Sequence, residues 1–304
     1  MFDVVPVGHF AIDSIFLPGR KTPFVVLGGS VAYVSLAARR LDARVSVISK
    51  LGNDFPEAYV RWLKQEGIDF SNVYRDEASV TTRFELRYTE DFTHRTLRSK
   101  SIMSPITVEE IARFPKALAI HVGPIAGEIT YDVVEKLRGS CESMSLDPQG
   151  LVRRFDGEGN VSVGSLMDKR ILELVNIFKS SFEEIRAITG FAELDQAVRA
   201  IHDYGVRIVI ATLGEGGAAV SVEGTMHNVP AFKPVRLVDP TGAGDVFIGS
   251  FLAEYVRGGD CSWCSCIGSA AASLVVEGVG PTFLGDREEI CRRARFLYEK
   301  GIKE

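Results

Sequence analysis

One short stretch of the chain combines two glycines with an acidic residue at each end. Residues 239–245 read Asp-Pro-Thr-Gly-Ala-Gly-Asp, and an apolar pattern with helical spacing follows them to residue 255. A loop that enters a helix in this way presents backbone N–H groups without intrahelical partners, and the helix dipole adds positive potential. Gly242 and Gly244 carry no Cβ atom that would keep a phosphate from the backbone. The stretch therefore predicts an anion-binding loop.

The acidic residue at its end, Asp245, extends this prediction. A carboxylate beside a bound anion repels it, unless its role is to accept a proton from the group that attacks the anion. A helix cap is the alternative, and a short glycine motif alone does not exclude it. The combination of an anion site with a proton acceptor suits phosphoryl transfer to a hydroxyl group.

The string 239–245 resembles the C-terminal signature of the ribokinase-like (PfkB) family of small-molecule kinases. The resemblance implies that the amides of Gly242, Ala243 and Gly244 bind the transferred phosphoryl group. It also implies that Asp245 deprotonates the acceptor hydroxyl, with ATP as co-substrate and Mg²⁺ as cofactor. The fold it implies is α/β, a ribokinase-like three-layer αβα sandwich with a mainly parallel central sheet and a small β-lid.

Two N-terminal features resemble the same family. Gly28 and Gly29 match its Gly-Gly signature, where the backbone lets substrate approach closely. Asp13 stands where members carry an acidic residue that binds substrate hydroxyls, although a turn carboxylate that caps an amide is as common. Many sugar kinases of the family have asparagine four residues after the second glycine. This chain has Tyr33 there, which weakens a ribose or fructose assignment.

Three polar residues follow the predicted strand at residues 144–146. Asp147 and Gln149 come at its carboxyl end, so we expect them to face the same crevice as Asp13. There their carboxylate and amide groups can bind the hydroxyls of a polyol. Arg153 can pair with an oxygen of the substrate or of a phosphate. A structural turn explains any one of these residues nearly as well.

The resemblance also supplies metal and nucleotide contacts. Glu184 falls where the family has a glutamate that orients magnesium through water, and Ser181 replaces the usual asparagine. Magnesium keeps much of its hydration shell, so a site that acts through water tolerates this change. The nucleotide contacts that the resemblance implies are Thr212, Gly214, Gly217 and Thr241.

Residues 81–100 differ from the rest because apolar and polar side chains alternate, with Phe84 and Leu86 on one face. Thr93 opens the second strand of this predicted hairpin. The hairpin resembles the family's β-lid, which closes over substrate and often makes a dimer contact; a solvated hairpin is the alternative. Glu85, on the polar face, is included among the predicted substrate contacts.

Elsewhere strand and helix patterns alternate, which predicts a mainly parallel sheet with helices on both faces. We expect one kinase domain over residues 1–304 with the lid inserted at about 81–100. The net charge of −5 and scattered basic residues argue against nucleic-acid binding, and no apolar run is long enough to span a membrane. With few cysteines, the protein is predicted to be cytoplasmic, and a homodimer through the lid is a further expectation.

Several departures from the sugar-kinase pattern agree with one branch of the family. They look like the myo-inositol kinases as a set: Tyr33, Lys179-Ser180-Ser181, Arg95-x-Leu97 and residues 123–129. The resemblance therefore implies phosphorylation of a small polyol, most of all myo-inositol. A ribose-, fructose- or nucleoside-directed kinase is the alternative, followed by a regulator that binds sugar or nucleotide without catalysis. No Gly-x-Gly-x-x-Gly follows the first strand, so an oxidoreductase fits poorly.

Overall fold

Strands and helices alternate along most of the chain. A computed structural model describes residues 1–92, 94–111 and 116–301, with side chains up to residue 300. Thr93, at the start of the second predicted hairpin strand, lies outside these residues. The strands of the central sheet are β1 (Phe2–Val7), β4 (Val45–Gly52), β5 (Ile68–Asp76), β8 (Ala117–Val122), β9 (Cys141–Leu146), β12 (Ile177–Ser181), β13 (Ile208–Thr212), β14 (Ala218–Val222) and β15 (Thr225–Val229).

The remaining elements surround that sheet. The other strands are β2 (Ala11–Phe16), β3 (Phe24–Gly28), β6 (Thr82–Tyr88), β7 (Arg95–Ser101), β10 (Arg153–Phe155) and β11 (Val161–Val163). The helices are α1 (Ser30–Arg40), α2 (Glu57–Gln65), α3 (Tyr131–Arg138), α4 (Gln149–Val152), α5 (Phe182–Thr189), α6 (Leu194–His202), α7 (Ala243–Tyr255), α8 (Cys261–Val275) and α9 (Arg287–Gly301).

The central sheet is mainly parallel. Its strand order is β15-β14-β13-β12-β9-β8-β1-β4-β5, and among the described strands of this sheet only the pairs β13–β14 and β14–β15 are antiparallel. Side chains alternate across it, since Val4 packs into the core under α1, α7 and α8 while Val5 packs under α3, α5 and α6. Helices therefore cover both faces, which confirms the predicted α/β sandwich. The carboxyl ends of the parallel strands share one edge.

A second sheet stands at that edge, with the order β3-β2-β6-β7. The predicted hairpin of residues 81–100 forms half of it, and β2 and β3 form the other half. β2 is short and follows β1 closely, so in the sequence it looks like a continuation of that strand. The inward face of this sheet carries its own small apolar cluster, which includes Ile15, Phe84 and Leu86.

Two further features concern the helices. Cys264 and Cys266 are buried in α8, where they pack as small apolar side chains. Among the helices of residues 1–92, 94–111 and 116–301, none combines the length and apolar character needed to cross a bilayer.

Candidate active site

A cavity lies between the second sheet and the carboxyl edge of the central sheet. It holds about 450 Å³ of empty space, its opening to solvent included. Both predicted acids, Asp13 and Asp245, line it, although 232 positions of chain separate them. The lining residues are Asp13, Gly29, Ser30, Tyr33, Phe84, Leu86, Arg95, Leu97, Ile125, Gln149, Arg153, Thr241, Gly242 and Asp245.

Asp245 lies in the first turn of α7 at the floor of this cavity. Its Oδ1 accepts a hydrogen bond from Gln149 Nε2 at 3.2 Å, and Gln149 Oε1 accepts one from Arg153 at 2.7 Å. Burial raises the pKa of the Asp245 carboxyl, and the charge of Lys179 opposes this rise. A carboxylate with a raised pKa is a better proton acceptor than an ordinary aspartate. The chain of three polar groups also fixes its orientation.

The loop before Asp245 has the backbone geometry that an anion site requires. Gly242 is the N-cap of α7, with φ 79°, and the Ala243 amide donates to the Pro240 carbonyl at 3.3 Å. The amides of Gly242 and Gly244 have no hydrogen-bond acceptor within the described residues. We call residues 242–244 the cradle. Its unpaired amides and the helix dipole favour an anion in front of it.

The two glycines of the cradle face other side chains, which the sequence does not show. A Cβ atom on Gly242 would lie 2.3 Å from the ring of Tyr33, and one on Gly244 would lie 2.5 Å from Lys179 Nζ. Tyr33 is 1% exposed. The glycines therefore admit an aromatic ring and an ammonium group as well as leaving the backbone bare.

Asp13 is the second acid of the cavity. Its side chain packs against Gly28, where a Cβ atom would lie 2.0 Å from Oδ2, so the bare backbone at Gly28 accommodates this carboxyl. Gly29, with φ 89°, packs against the backbone of residues 9–11. Asp13 is 5% exposed, and its Oδ1 has no hydrogen-bond partner in the described part of the chain. An unpaired buried oxygen is costly, so it suits a substrate hydroxyl.

Asp13 should make both stability and substrate affinity depend on pH. Burial raises its pKa to about 7, while Arg153 and Arg95 act in the opposite direction. Between about pH 4 and pH 7 the folded chain holds a proton that the unfolded chain has lost, so this group's contribution to stability falls as pH rises. Ionised Asp13 accepts stronger hydrogen bonds, so we expect the KM of the acceptor to fall as pH rises through about 7.

The Asp13→Asn variant tests this. Asparagine cannot ionise, so the variant should lose the pH dependence of acceptor KM and keep a high KM at about pH 8. Its thermal unfolding midpoint should also change less between about pH 4 and pH 7 than that of the wild-type chain. Identical pH dependence in both proteins would contradict the role of Asp13.

Asp147, a predicted substrate contact, is not among the residues that line the cavity. It is 1% exposed, and its Oδ2 accepts a hydrogen bond from Lys179 Nζ at 2.6 Å. Its Oδ1 accepts one from the Gln149 amide at 3.2 Å. Its oxygens are thus engaged inside the protein, while Gln149 and Arg153, predicted together with it, do reach the cavity.

Glu85 is likewise absent from the cavity lining. Side chains alternate along β6, so Phe84 and Leu86 face the cavity and Glu85 points to the other side of the second sheet. There it forms ion pairs with Arg87 at 2.8 Å and Lys100 at 3.2 Å. The prediction of Glu85 as a substrate contact does not fit this placement.

The cradle, the half-buried carboxyl beside it and the central sheet agree with one family. Residues 1–286 match the family described as pfkB family carbohydrate kinase. The chain belongs to this family. The family resemblance drawn from residues 239–245 and the prediction of a small-molecule kinase are therefore confirmed.

Known relatives of this pfkB family kinase differ in substrate. The cytidine kinase of Thermococcus kodakarensis is 28% identical over 92% of this chain and 98% of its own length. The inositol 3-kinase of Oryza sativa subsp. japonica is 29% identical over 98% of this chain and 73% of its own length. The chain is thus similar to both polyol and nucleoside kinases.

A solved structure shares the fold, with a TM-score of 0.81 at 23% identity over 97% of this chain and 99% of the other. It is a pyrophosphate-dependent myo-inositol-1 kinase that was converted into a myo-inositol-3 kinase by replacing an asparagine and a serine with leucine.

The predicted magnesium contact of this kinase, Glu184, closes the start of α5. Its Oε2 accepts hydrogen bonds from Ser180 Oγ at 2.8 Å, from the Ser181 amide at 3.0 Å and from Ser181 Oγ at 2.7 Å. Ser181 and Glu184 form a capping box. Within the described ranges no group of three or more His, Cys, Asp or Glu residues is placed to hold a metal ion. These residues would therefore fit Mg²⁺ only through water, and that contact stays a prediction.

The predicted nucleotide contacts occupy two places. Thr212 ends β13 and donates to the Ser180 carbonyl at 3.3 Å, and Gly214, with φ 59°, opens the turn that follows. Gly217 is required by packing, since its Cβ atom would lie 2.1 Å from the Val229 carbonyl oxygen. Thr241 lies apart from these three and lines the cavity.

Thr241 connects the cradle loop to the second sheet. Its hydroxyl donates to Asp239 Oδ1 at 2.6 Å, and Tyr88 of β6 donates to it at 2.8 Å. Arg95 of β7 donates to Tyr88 Oη at 3.3 Å and also lines the cavity. The second sheet is thereby held against the loop that carries the proposed chemistry.

Several residues of the site were not named as contacts from the sequence. Alternation along residues 81–100 places Phe84 and Leu86 on one face, but it does not say that this face meets the cradle. Lys179 is the clearest case, and its signal was a lysine inside an apolar central strand. Lys179 is not among the residues that line the cavity; the other lining residues that were not named as contacts are Ser30, Tyr33, Arg95, Leu97 and Ile125.

Proposed function

We propose that this kinase transfers the γ-phosphoryl group of ATP to a hydroxyl of a small polyol, most of all myo-inositol. One observation carries the proposal. The half-buried carboxyl of Asp245, beside the cradle, and the unpaired oxygen of Asp13 line the same cavity. A proton acceptor and a group that binds hydroxyls are thus both available to one small alcohol.

The proposed reaction follows from these positions. Asp245 accepts the proton of the acceptor hydroxyl, whose oxygen forms the new bond to the γ-phosphorus. The bond from that phosphorus to the bridging oxygen breaks, and ADP leaves with the electron pair. The cradle amides stabilise the charge on the transferred group. Magnesium, held through water by Glu184, would neutralise phosphate charge.

The polar part of the cavity supports a polyol. Asp13, Gln149, Arg153 and Asp245 offer acceptors and donors from several directions, and such sites discriminate well among hydroxylated compounds. The second sheet covers one side of this space, and we expect it to shield a bound acceptor from water, which would otherwise compete as the acceptor. Myo-inositol has six hydroxyls on a ring without a ring oxygen, and these hydroxyls can form hydrogen bonds with the polar lining residues.

Two leucines of the cavity support a proposal for which hydroxyl of myo-inositol is phosphorylated. Leu86 and Leu97 face each other across the β6–β7 pair, and both line the cavity. They are eleven residues apart, as are the two replaced positions of the solved myo-inositol kinase whose leucines give a 3-kinase. With leucine at both places, this chain is proposed to phosphorylate the 3-hydroxyl of myo-inositol.

The pair Leu86→Asn and Leu97→Ser tests that choice. The wild-type chain is expected to form inositol 3-phosphate, and the double variant is expected to form the 1-phosphate, because apolar contacts in the cavity become polar. The two products are mirror images, so chiral chromatography must resolve them. Val25→Asn in β3 is the matched control, since Val25 is 58% exposed and is not part of the cavity lining. An unchanged product from the double variant would contradict this assignment.

A nucleoside is the second candidate, for which a specific observation speaks. The cavity also has an apolar wall that includes an aromatic ring; its members are Phe84, Leu86, Leu97 and Ile125. Such a wall can pack against a base while Asp13 binds a sugar hydroxyl. The 28% identity to a cytidine kinase agrees with this reading.

A panel of acceptors and donors tests the proposed function. ADP or phosphate release is measured with myo-inositol, ribose, fructose and cytidine, each with ATP and with pyrophosphate, in the presence and absence of Mg²⁺. The proposal expects the highest kcat/KM for myo-inositol with ATP, and only with Mg²⁺. A preference for cytidine selects the second candidate, and no transfer to any acceptor would indicate a binding protein without catalysis.

A cytoplasmic location and a dimer contact through the second sheet remain proposals. Sedimentation measurements test the dimer contact.

A further inference from the structure

A lysine lies in the middle of β12, beneath the cradle. Lys179 is 5% exposed and stands in the central sheet next to apolar Phe178 and Ile177. A buried ammonium group is costly unless it is paired. Its nearby carboxylates, Asp147, Asp245 and Glu184, raise the pKa of Lys179 against the effect of burial. The side chain is therefore charged.

Its hydrogen-bonded partner is Asp147. Lys179 Nζ donates to Asp147 Oδ2 at 2.6 Å, and both side chains are almost fully buried. The pair is formally neutral. If neutralising Asp147 were the only role of Lys179, an uncharged pair would serve at least as well, since buried ion pairs add little net stability.

The position of the ammonium group points to a further role. Nζ lies 2.5 Å from where a Cβ atom of Gly244 would be, so it reaches the cradle only because residue 244 is glycine. The cradle is also the N-terminus of α7, a helix of 13 residues whose dipole is positive at this end. A cation beside a positive helix end is unfavourable in itself. The two become favourable together when an anion binds in front of both.

We propose that Lys179 is a catalytic residue that binds the transferred phosphoryl group. This rests on the proposed role of the cradle. As the bond between phosphorus and the bridging oxygen breaks and the bond to the acceptor oxygen forms, negative charge stays on the equatorial oxygens. The ammonium group stabilises that charge from the side of Gly244, and Asp147 holds the ammonium group in place. Lysine suits this as a compact charge that binds phosphate.

The test separates phosphoryl binding from neutralisation of Asp147. The variants are Lys179→Met, Asp147→Asn and the double variant, each checked by thermal unfolding. Lys179→Met leaves Asp147 as an unpaired buried charge, and it should lose both stability and activity. The double variant contains no charge at either position, so it should recover stability.

The turnover of the double variant decides whether Lys179 binds the phosphoryl group or only neutralises Asp147. We expect Asp147→Asn to lose part of its turnover, because the ammonium group is held less firmly, and the double variant to stay about a hundredfold below Asp147→Asn with a higher KM for ATP. Lys179→Arg should not restore turnover, because the planar guanidinium group does not fit beside Gly244. A double variant as active as Asp147→Asn would overturn the proposal. If the wild-type chain transfers phosphate to no acceptor, the proposed function fails first, which is a distinct result.

A measurement on the wild-type chain tests the same proposal even if Lys179→Met and the double variant do not fold. The ε-methylene resonance of Lys179 in a ¹³C-lysine spectrum is assigned by its absence in Lys179→Arg. Binding of pyrophosphate, confirmed by calorimetry, should shift this resonance. Binding without any shift of the Lys179 signal would overturn the proposal.

Discussion

The Asp245→Asn variant is expected to turn over about 10³ times more slowly than the wild-type chain while it still binds acceptor and ATP. Asparagine has nearly the same shape and keeps an oxygen that can accept the Gln149 hydrogen bond, now 3.2 Å long. It cannot accept a proton. The loss should therefore appear in kcat, with little change in the affinity for ATP measured by calorimetry.

The control for this variant is Asp195→Asn. Asp195 lies in the first turn of α6, just as Asp245 lies in the first turn of α7. Asp195 is exposed and lies outside the cavity lining. Both changes remove a favourable charge from a helix N-terminus, which costs each about 0.3–1 kcal/mol of stability. Only Asp245→Asn should lose turnover. If the two variants kept equal activity, Asp245 would be no more than a helix cap.

The acid side of the pH–rate profile gives a second test of Asp245 as the proton acceptor. Because burial raises the pKa of its carboxyl, the base is protonated, and turnover lost, at a higher pH than for an ordinary aspartate. The residual rate of Asp245→Asn should lack this loss.

The second large effect is expected from Gly242→Ala. A methyl group there would lie 2.3 Å from the Tyr33 ring, which is fully buried and cannot move aside, so the cradle must shift. Catalytic donors act only when they meet the developing charge at hydrogen-bond distance, so we expect turnover to fall about 10²-fold or more. The assay is kcat with saturating acceptor and ATP.

Gly190→Ala is the matched control for Gly242→Ala. Gly190 has φ 80°, close to the 79° of Gly242, and a Cβ atom at Gly190 has nothing within 4 Å. Both substitutions place alanine in the left-handed region, at a cost of about 1–2 kcal/mol each. The control should lose stability and keep its turnover. If Gly190→Ala lost as much activity, backbone strain and not the Tyr33 contact would explain the effect.

The residues that carry the local chemistry were readable from the sequence because they are neighbours in the chain. Gly242, Gly244 and Asp245 fall within one loop and one helical turn, so their spacing alone predicts an anion site beside a proton acceptor. Alternation along residues 81–100 likewise predicts a hairpin, since strand side chains repeat every two residues. The parallel sheet follows from repeated strand–helix units.

Other parts of the site depend on contacts between distant segments. Asp147 follows a strand as a ligand-binding aspartate would, but Lys179 of the neighbouring strand takes its carboxyl away from the cavity. Glu85 belongs to the right hairpin, but no sequence pattern says which face of that hairpin is turned toward the cradle. Local periodicity describes a face, and packing decides what the face meets.

By itself, the sequence determined the class of fold, the kinase family and the turn that holds the cradle and Asp245, because these depend on local order and periodicity. The tertiary structure alone decided that β2 and β3 join the hairpin in one sheet, that Tyr33 and Lys179 fill the space beside the two cradle glycines, and that Asp13 keeps an unpaired oxygen. Each of these is a contact between side chains or strands far apart in the chain, and its geometry exists only after the layers have packed.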